Sequence, residues 1–360
     1  MIKNKKRGYE EMKFGIVGCG EISSVHVNAI LKTKKAEIVS ACDLVKERAE
    51  KIAKQYDIPR VYTDFAEMLK KEKLDAVDVV TSPQSHAALA IQAMNAGFNV
   101  MVEKPMCMNV EEADKMIKAA KENNVKLGII HSFLFTPPIR KALENVKKGK
   151  IGKLLWTDTV VSIKSLLKWQ NAVGFPDWYR TLPGGLFGEI LPHGLYVQLA
   201  FLGKVKRVIG VTRNFENATD LIPFSEIQVN MEGENGLGGL CMTSRFDSPY
   251  TIAMVRVVGS RGILIVNVPA ASVVNIEYSN SASAFSRASM NIKPAFQYIA
   301  STISSASKTL VGSTQHHMTH RILMDGFIES VLTGSEPLVT AEDGKEVIRA
   351  TDMIWKNILS

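Results

Sequence analysis

The sequence predicts an α/β protein in two parts, a doubly wound parallel sheet followed by a region of antiparallel strands. Three observations predict it. A strand, a glycine turn and a helix open the patterned chain; strand and helix runs then alternate to about residue 130; beyond it, apolar or alternating runs succeed one another through short Gly, Asn or Ser turns. At 360 residues the chain is about twice the usual single-domain size, so two domains are expected.

Residues 1–11, with Lys3, Lys5, Lys6 and Arg7, read as a solvated tail. Residues 13–17 form a short apolar strand, followed at once by Gly18-Cys-Gly20-Glu21-Ile22-Ser23 and by helical spacing through Ile22, Val25, Ala29 and Ile30. A second strand, 38–42, ends in Asp43. Helices are predicted over 46–56, 64–71, 86–96 and 110–123, and strands over 76–81, 99–102 and 126–130, which places the first domain at 12–130. Past Pro137-Pro138 comes a helix, then strands near 154–163, 205–211, 226–231, 237–243, 251–258 and 262–268, with a helical run over 195–202. Residues 278–320 lack any acid, and Phe296, Ile299, Ile303 and Leu310 recur at helical spacing after Pro294, predicting an amphipathic helix packed on its own domain. The second domain spans 131–340, and a last helix, 341–360, is expected to return to the first.

Hydrophobic residues at 46% and charged residues at 22% exclude a disordered polymer and a disulfide-dense mini-protein. No stretch reaches the roughly 18 apolar residues of a membrane span, and the charged N-terminus has no apolar signal core, so a cytoplasmic protein without a membrane partner is expected. Cys19, Cys42, Cys107 and Cys241 are scattered without a C-x-x-C pair and read as reduced thiols. The net charge of +8 suggests an anionic partner, either nucleic acid or a phosphate-bearing small molecule. The tail and a basic helix face within 121–153 account for much of the excess, and no nucleic-acid module accompanies them, so nucleic acid is not expected.

The glycine turn points to a dinucleotide. Gly18 allows the tight turn, Gly20 lets the backbone approach a pyrophosphate, Ser23 is a small third residue, and the helix N-terminus offers free N–H groups to phosphate. Asp43 lies about 20 residues beyond the turn, where an acid accepts the ribose hydroxyls. A 2′-phosphate would meet like charge at Asp43, and Leu44 offers no cation, so NAD is expected over NADP. The ligand should lie at the C-terminal strand ends, which hold Asp43, Thr81-Ser82 and Glu103-Lys104. The candidate cofactor residues are Gly18, Gly20, Glu21, Ile22, Asp43, Thr81, Ser82, His86, Glu103 and Lys104.

Together with that turn, Glu103-Lys104-Pro105, Thr81-Ser-Pro-Gln-Ser-His86, Ile151-Gly-Lys-Leu154 and the stretch 178–193 resemble the glucose-fructose oxidoreductase, inositol dehydrogenase and rhizopine catabolism family, Gfo/Idh/MocA. The resemblance implies an N-terminal Rossmann domain and a C-terminal α/β domain with a large, mostly antiparallel sheet. One face of that sheet would be covered by helices and the other used in a homodimer or homotetramer. It implies oxidation of a secondary alcohol on a sugar, cyclitol or nucleotide sugar, with Lys104 as the catalytic lysine and Pro105 in the cis form. The family's second signature, G-G-x-x-x-D-x-x-x-H-x-x-D, reads here as Gly184-Gly185, Glu189, His193 and Tyr196, so one acid is lengthened and the other replaced by a phenol. Thr81-Ser82 stands for the usual T-P pair, and the arginine common after the sixth strand is absent from 131–135. The same family includes dinucleotide-binding sensors without turnover and NAD-dependent glycosidases.

Hydride departure from a carbinol carbon requires that the hydroxyl proton leave as well, so the site needs a base and a polarising donor. His193, expected in a glycine-rich turn, is assigned as general acid/base and Lys104 as the group that holds the oxygen, with the reverse assignment open. Lys164, Lys168, Trp169, Trp178, Tyr179 and Arg180 flank the signature and suit a sugar ring or an anionic substituent; Glu189 would bind its hydroxyls. His131 could line the substrate site. No metal is expected, because no carboxylate or cysteine joins His316, His317 and His320 at ligand spacing.

Overall fold

The computed structural model describes residues 11–164, 175–215, 219–245, 248, 251–278, 281, 283–310 and 315–359. The chain divides into two compact units, Met1–Ile130 with Gln315–Lys345, and His131–Thr314 with Glu346–Ser360.

The first unit is built on β1 (Met12–Val17), β2 (Ala36–Cys42), β3 (Arg60–Tyr62), β4 (Ala76–Val79), β5 (Asn99–Val102) and β6 (Leu127–Ile129). They form one parallel sheet in the order β3-β2-β1-β4-β5-β6. The crossover helices are α1 (Ser23–Thr33), α2 (Lys46–Tyr56), α3 (Phe65–Lys71), α4 (Pro83–Asn95) and α5 (Val110–Glu122). Every residue of β4 is buried, as expected of a strand covered on both faces, and this is why its sequence is an apolar run rather than an alternation. α4 begins three residues before its expected start because Ser82 precedes Pro83, whose pre-set φ suits a first helical turn.

In the second unit, α6 (Pro137–Lys147) leads to β7 (Leu154–Ser162), a 3-10 turn (Asp177–Thr181) and α7 (Leu186–Leu202). The strands β8 (Val205–Asn214), β9 (Glu226–Gly233), β10 (Leu237–Thr243), β11 (Ile252–Gly259), β12 (Gly262–Asn267) and β13 (Ser272–Glu277) follow. They make a seven-stranded sheet ordered β13-β12-β11-β7-β10-β9-β8, antiparallel throughout except for the β7–β10 pair. Burial alternates along β12, and α7 packs on β7 and β10, so one face of this sheet is a core face.

Three expectations are corrected. The return to the first unit is made by α9 (Gln315–Thr333) and the residues up to Lys345, whereas most of α10 (Ala341–Leu359) belongs to the second. α9 lies along α1, and Phe327 meets Phe14 edge-on at 6.4 Å; in the second unit the Trp355 ring fills the space that a side chain on Gly184 would need. The helix of the second signature starts at Leu186, not near Leu195, and carries Pro192 inside it, so His193 is helical rather than in a turn. Finally, α8 (Ala284–Leu310) begins ten residues before Pro294 and does not bury its apolar stripe: Phe285 is 85% and Phe296 67% exposed, with Ile292, Ile299 and Ile303 also exposed. The helix does pack on its own unit, along β13, where Pro294 is buried and Gln297 exchanges two hydrogen bonds with the backbone of Asn275.

Candidate active site

The glycine turn follows β1. Gly18 has φ +93, and a Cβ there would stand 2.6 Å from the carbonyl of Val80, so both backbone shape and space demand glycine. Gly20 is exposed, and a Cβ on it would meet nothing within 4 Å. The backbone at that position is thus open to approach from outside the chain, which fits a bound pyrophosphate. Ser23 is buried and its hydroxyl donates to the Gly20 carbonyl; Glu21 and Ile22 are exposed on the turn before α1.

Asp43, at the end of β2, takes the Cys19 N–H on Oδ2 and the Val45 N–H on Oδ1, each at 2.8 Å. The acid thus ties the glycine turn to the next strand and keeps carboxylate lone pairs for ribose hydroxyls. Thr81 and Ser82 are half-buried at the start of α4, where Ser85 donates to the Thr81 hydroxyl at 2.7 Å. His86 is fully buried, with Nδ1 2.8 Å from the Pro105 carbonyl and Nε2 2.9 Å from the Thr81 carbonyl. Burial pushes its pKa below the ordinary value, against the two carbonyls. The neutral ring lies between two backbone segments and donates its single N–H to one of these carbonyls.

Strand β5 delivers Glu103, whose N–H bonds the Val79 carbonyl, and then Lys104, half-buried, before the cis peptide to Pro105. The Glu103 carboxylate turns inward. Oε2 accepts the Lys104 N–H at 2.7 Å, and Oε1 lies 3.0 Å from His26 Nε2 and 3.6 Å from His320 Nε2. His26 Nδ1 is 2.9 Å from Asp78 Oδ2, in the middle of β4. Burial alone would lower the pKa of His26, but Asp78 and Glu103, one at each ring nitrogen, outweigh it and push it up to about 10. Burial alone would raise that of Glu103, but the hydrogen bond with His26 and the nearby His320 ring hold it well below the carboxylate range. His26, Glu103 and His320 place ligand atoms within 4.8 Å of one another, a set that can take a divalent ion, although both His26 nitrogens already sit at hydrogen-bond distance from carboxylates. Reading by sequence spacing could not have found it, since Glu103 joins His320 only through the fold.

On the second unit, Glu189, His193 and Tyr196 share one face of α7, and Glu189 and His193 are half-buried. His193 Nδ1 is 2.8 Å from the Tyr196 hydroxyl, which also accepts the Phe133 N–H at 3.2 Å. The His131 ring stacks on Tyr196 at 4.4 Å, and Phe133 meets His193 edge-on at 5.0 Å. A buried phenol is thus one partner of this histidine, at the position where the family signature has a carboxylate. Trp178 stacks on Tyr179 at 4.0 Å, Arg180 is exposed and Lys164 half-buried. Lys168, Trp169 and the side chains of His316 and His317 lie outside the described residues.

A parallel sheet whose first turn is shaped for pyrophosphate, with an acid on the next strand end, defines a dinucleotide-binding protein with a second α/β unit. A family profile for an oxidoreductase family with an NAD-binding Rossmann fold matches residues 12–131, and one for its C-terminal alpha/beta domain matches 143–358. The chain belongs to this GFO/IDH/MocA family. It is 27% identical over 202 residues to "Oxidoreductase P35" of Formosa agariphila, covering 55% of this chain and 62% of that one. It is 33% identical over 147 residues to a D-apiose dehydrogenase of Paraburkholderia graminis, but the match spans only 39% of that protein and 41% of this one. A scyllo-inositol 2-dehydrogenase (NAD(+)) of Bacillus subtilis is 26% identical over 343 residues, covering 92% of this chain and 90% of the relative. Among solved structures, an oxidoreductase from Agrobacterium radiobacter in complex with NAD+, L-tartaric acid and magnesium shares the fold with a TM-score of 0.77 at 17% identity, over 98% of this chain and 97% of that one.

Proposed function

We propose that the protein is an NAD-dependent dehydrogenase that oxidises a secondary alcohol of a sugar, cyclitol or nucleotide sugar. The observation that carries this reading is the Glu103-Lys104-Pro105 turn: a half-buried lysine is held at the C-terminal end of β5, in the same sheet as the glycine turn and Asp43. The names of the inositol and apiose dehydrogenase relatives support the substrate class.

Bound NAD supplies the hydride acceptor. The first unit's own residues would hold it: the exposed face of Gly20 and the N–H groups of α1 at the pyrophosphate, and Asp43 at the adenosine ribose. Lys104 donates to the substrate oxygen and polarises it, and His193 takes the hydroxyl proton on Nε2 while Tyr196 holds Nδ1. The reading is tested by following nicotinamide absorbance on a panel of sugars, cyclitols and nucleotide sugars. Turnover should fall by about 100-fold or more in Lys104→Ala and in His193→Ala while NADH still binds. Tight NADH binding with no turnover on any member would instead favour a sensor of the dinucleotide.

A homodimer or homotetramer is proposed at the open face of the seven-stranded sheet. An apolar row of paired residues, Leu237, Trp156, Val258, Ile263 and Ile276, crosses five strands, and Leu237 is 50% exposed. Light scattering should show Val258→Arg dissociating the assembly; an unchanged mass would remove this face from consideration.

A further inference from the structure

We propose that His320, on α9, is a positioning residue for Lys104 that acts through the Glu103 carboxylate. The proposal rests on the reading of Lys104 as catalytic. Glu103 is 8%, His320 3% and His26 0% exposed, so the carboxylate cannot turn toward water. Its two oxygens have different duties. Oε2 holds the backbone N–H of Lys104 at 2.7 Å, and Oε1 is faced by His26 at 3.0 Å and His320 at 3.6 Å. Because the two oxygens belong to one rigid plane, whatever orients Oε1 also orients the bond to Lys104.

His26 is itself immobilised, with its other nitrogen on Asp78. His320 supplies the remaining side of the clamp: it packs edge-on against the His26 ring, centroids 5.3 Å apart, and faces the same carboxylate oxygen. On the far side of the turn, His86 approaches the Pro105 carbonyl at 2.8 Å. The turn that presents Lys104 is therefore bounded by histidines from α1, α4 and α9, the last of which comes from the C-terminal part of the chain. Cofactor contacts at Gly20 and Asp43 involve none of these rings, so loosening the clamp should misplace the lysine without weakening NADH.

The test measures the lysine directly and needs no substrate. Trinitrobenzenesulfonate labelling of Lys104 is followed by peptide mass spectrometry, with and without NADH, against Lys118, whose side chain is 72% exposed on α5. In His320→Leu the Lys104-to-Lys118 labelling ratio should change by about threefold or more, and the NADH dissociation constant should stay within about twofold. His320→Gln, which keeps a donor toward Glu103, should restore the native ratio. An unchanged ratio in the Leu variant, or an equal change in both variants, overturns the proposal. Should the Leu variant not fold, His320→Asn, too short to reach Glu103, replaces it with the same two outcomes. Failure of the Lys104 reading itself looks different, as turnover that survives Lys104→Ala.

Discussion

Gly18 and Gly20 are the same residue two positions apart, but of the two the chain itself demands glycine at the first alone. Gly18→Ala puts a Cβ against the Val80 carbonyl at a positive φ, so it should cost about 2 kcal/mol or more of stability. Gly20→Ala meets nothing in the chain, so its melting temperature should hold within a degree or two while NADH affinity falls; a matched loss of stability would contradict that assignment. The buried charges make a second prediction. His26 has a folded pKa of about 10 against 6.5, so the stability it adds is complete below pH 6.5 and is lost as pH rises toward 10. Glu103 is shifted below 4.5, so its contribution is complete above that pH and is lost as pH falls. The melting temperature should peak between about pH 4.5 and 6.5, and His26→Gln should flatten the alkaline limb while costing about 3 kcal/mol near pH 6. A wild-type alkaline limb that is already flat would falsify the assignment. Lys104 could be read from the sequence because its motif is local. His26, Asp78 and His320 could not, because three distant segments supply them, although an acid in the middle of the apolar run 76–81 was a signal that something basic had to face it.

Elements were legible where one local pattern decided them. The boundaries of α2 and β5 follow from their apolar spacing alone, whereas β3 is three residues long and none of them is buried, too little pattern to register. Gly184-Gly185, Gly188 and Pro192 read as turn residues, yet α7 runs from Leu186, since helix length here is set by packing against β7 and β10. The glycine pair has a packing duty that sequence could not disclose. A Cβ on Gly184 would fall 2.0 Å from the Trp355 ring, and one on Gly185 2.4 Å from the Leu221 carbonyl, both at positive φ. Gly184→Ala should therefore destabilise the second unit by about 3 kcal/mol, seen as an earlier thermal transition. Phe296→Ser, on the exposed stripe of α8, should change stability by under about 0.5 kcal/mol; a larger loss would mean that the stripe is covered in solution.

At the scale of the whole molecule, the order of parts could be read from the change in hydrophobic period near residue 130, but not the way the chain closes its first unit. Packing places the two last helices: Phe327 sits beside Phe14 in the first unit and Trp355 over Gly184 in the second, with α9 in one unit and most of α10 in the other. That closure has a consequence for biosynthesis. At about 5–20 residues per second, a ribosome that has finished Ile130 needs roughly 10–40 s more to reach Gln315 and begin the helix that covers α1. Through that interval Phe14, Ile129 and the histidine of α1 lack their final cover. A stalled chain ending near residue 150 should be cut rapidly by protease, and one carried past Lys345 should resist it.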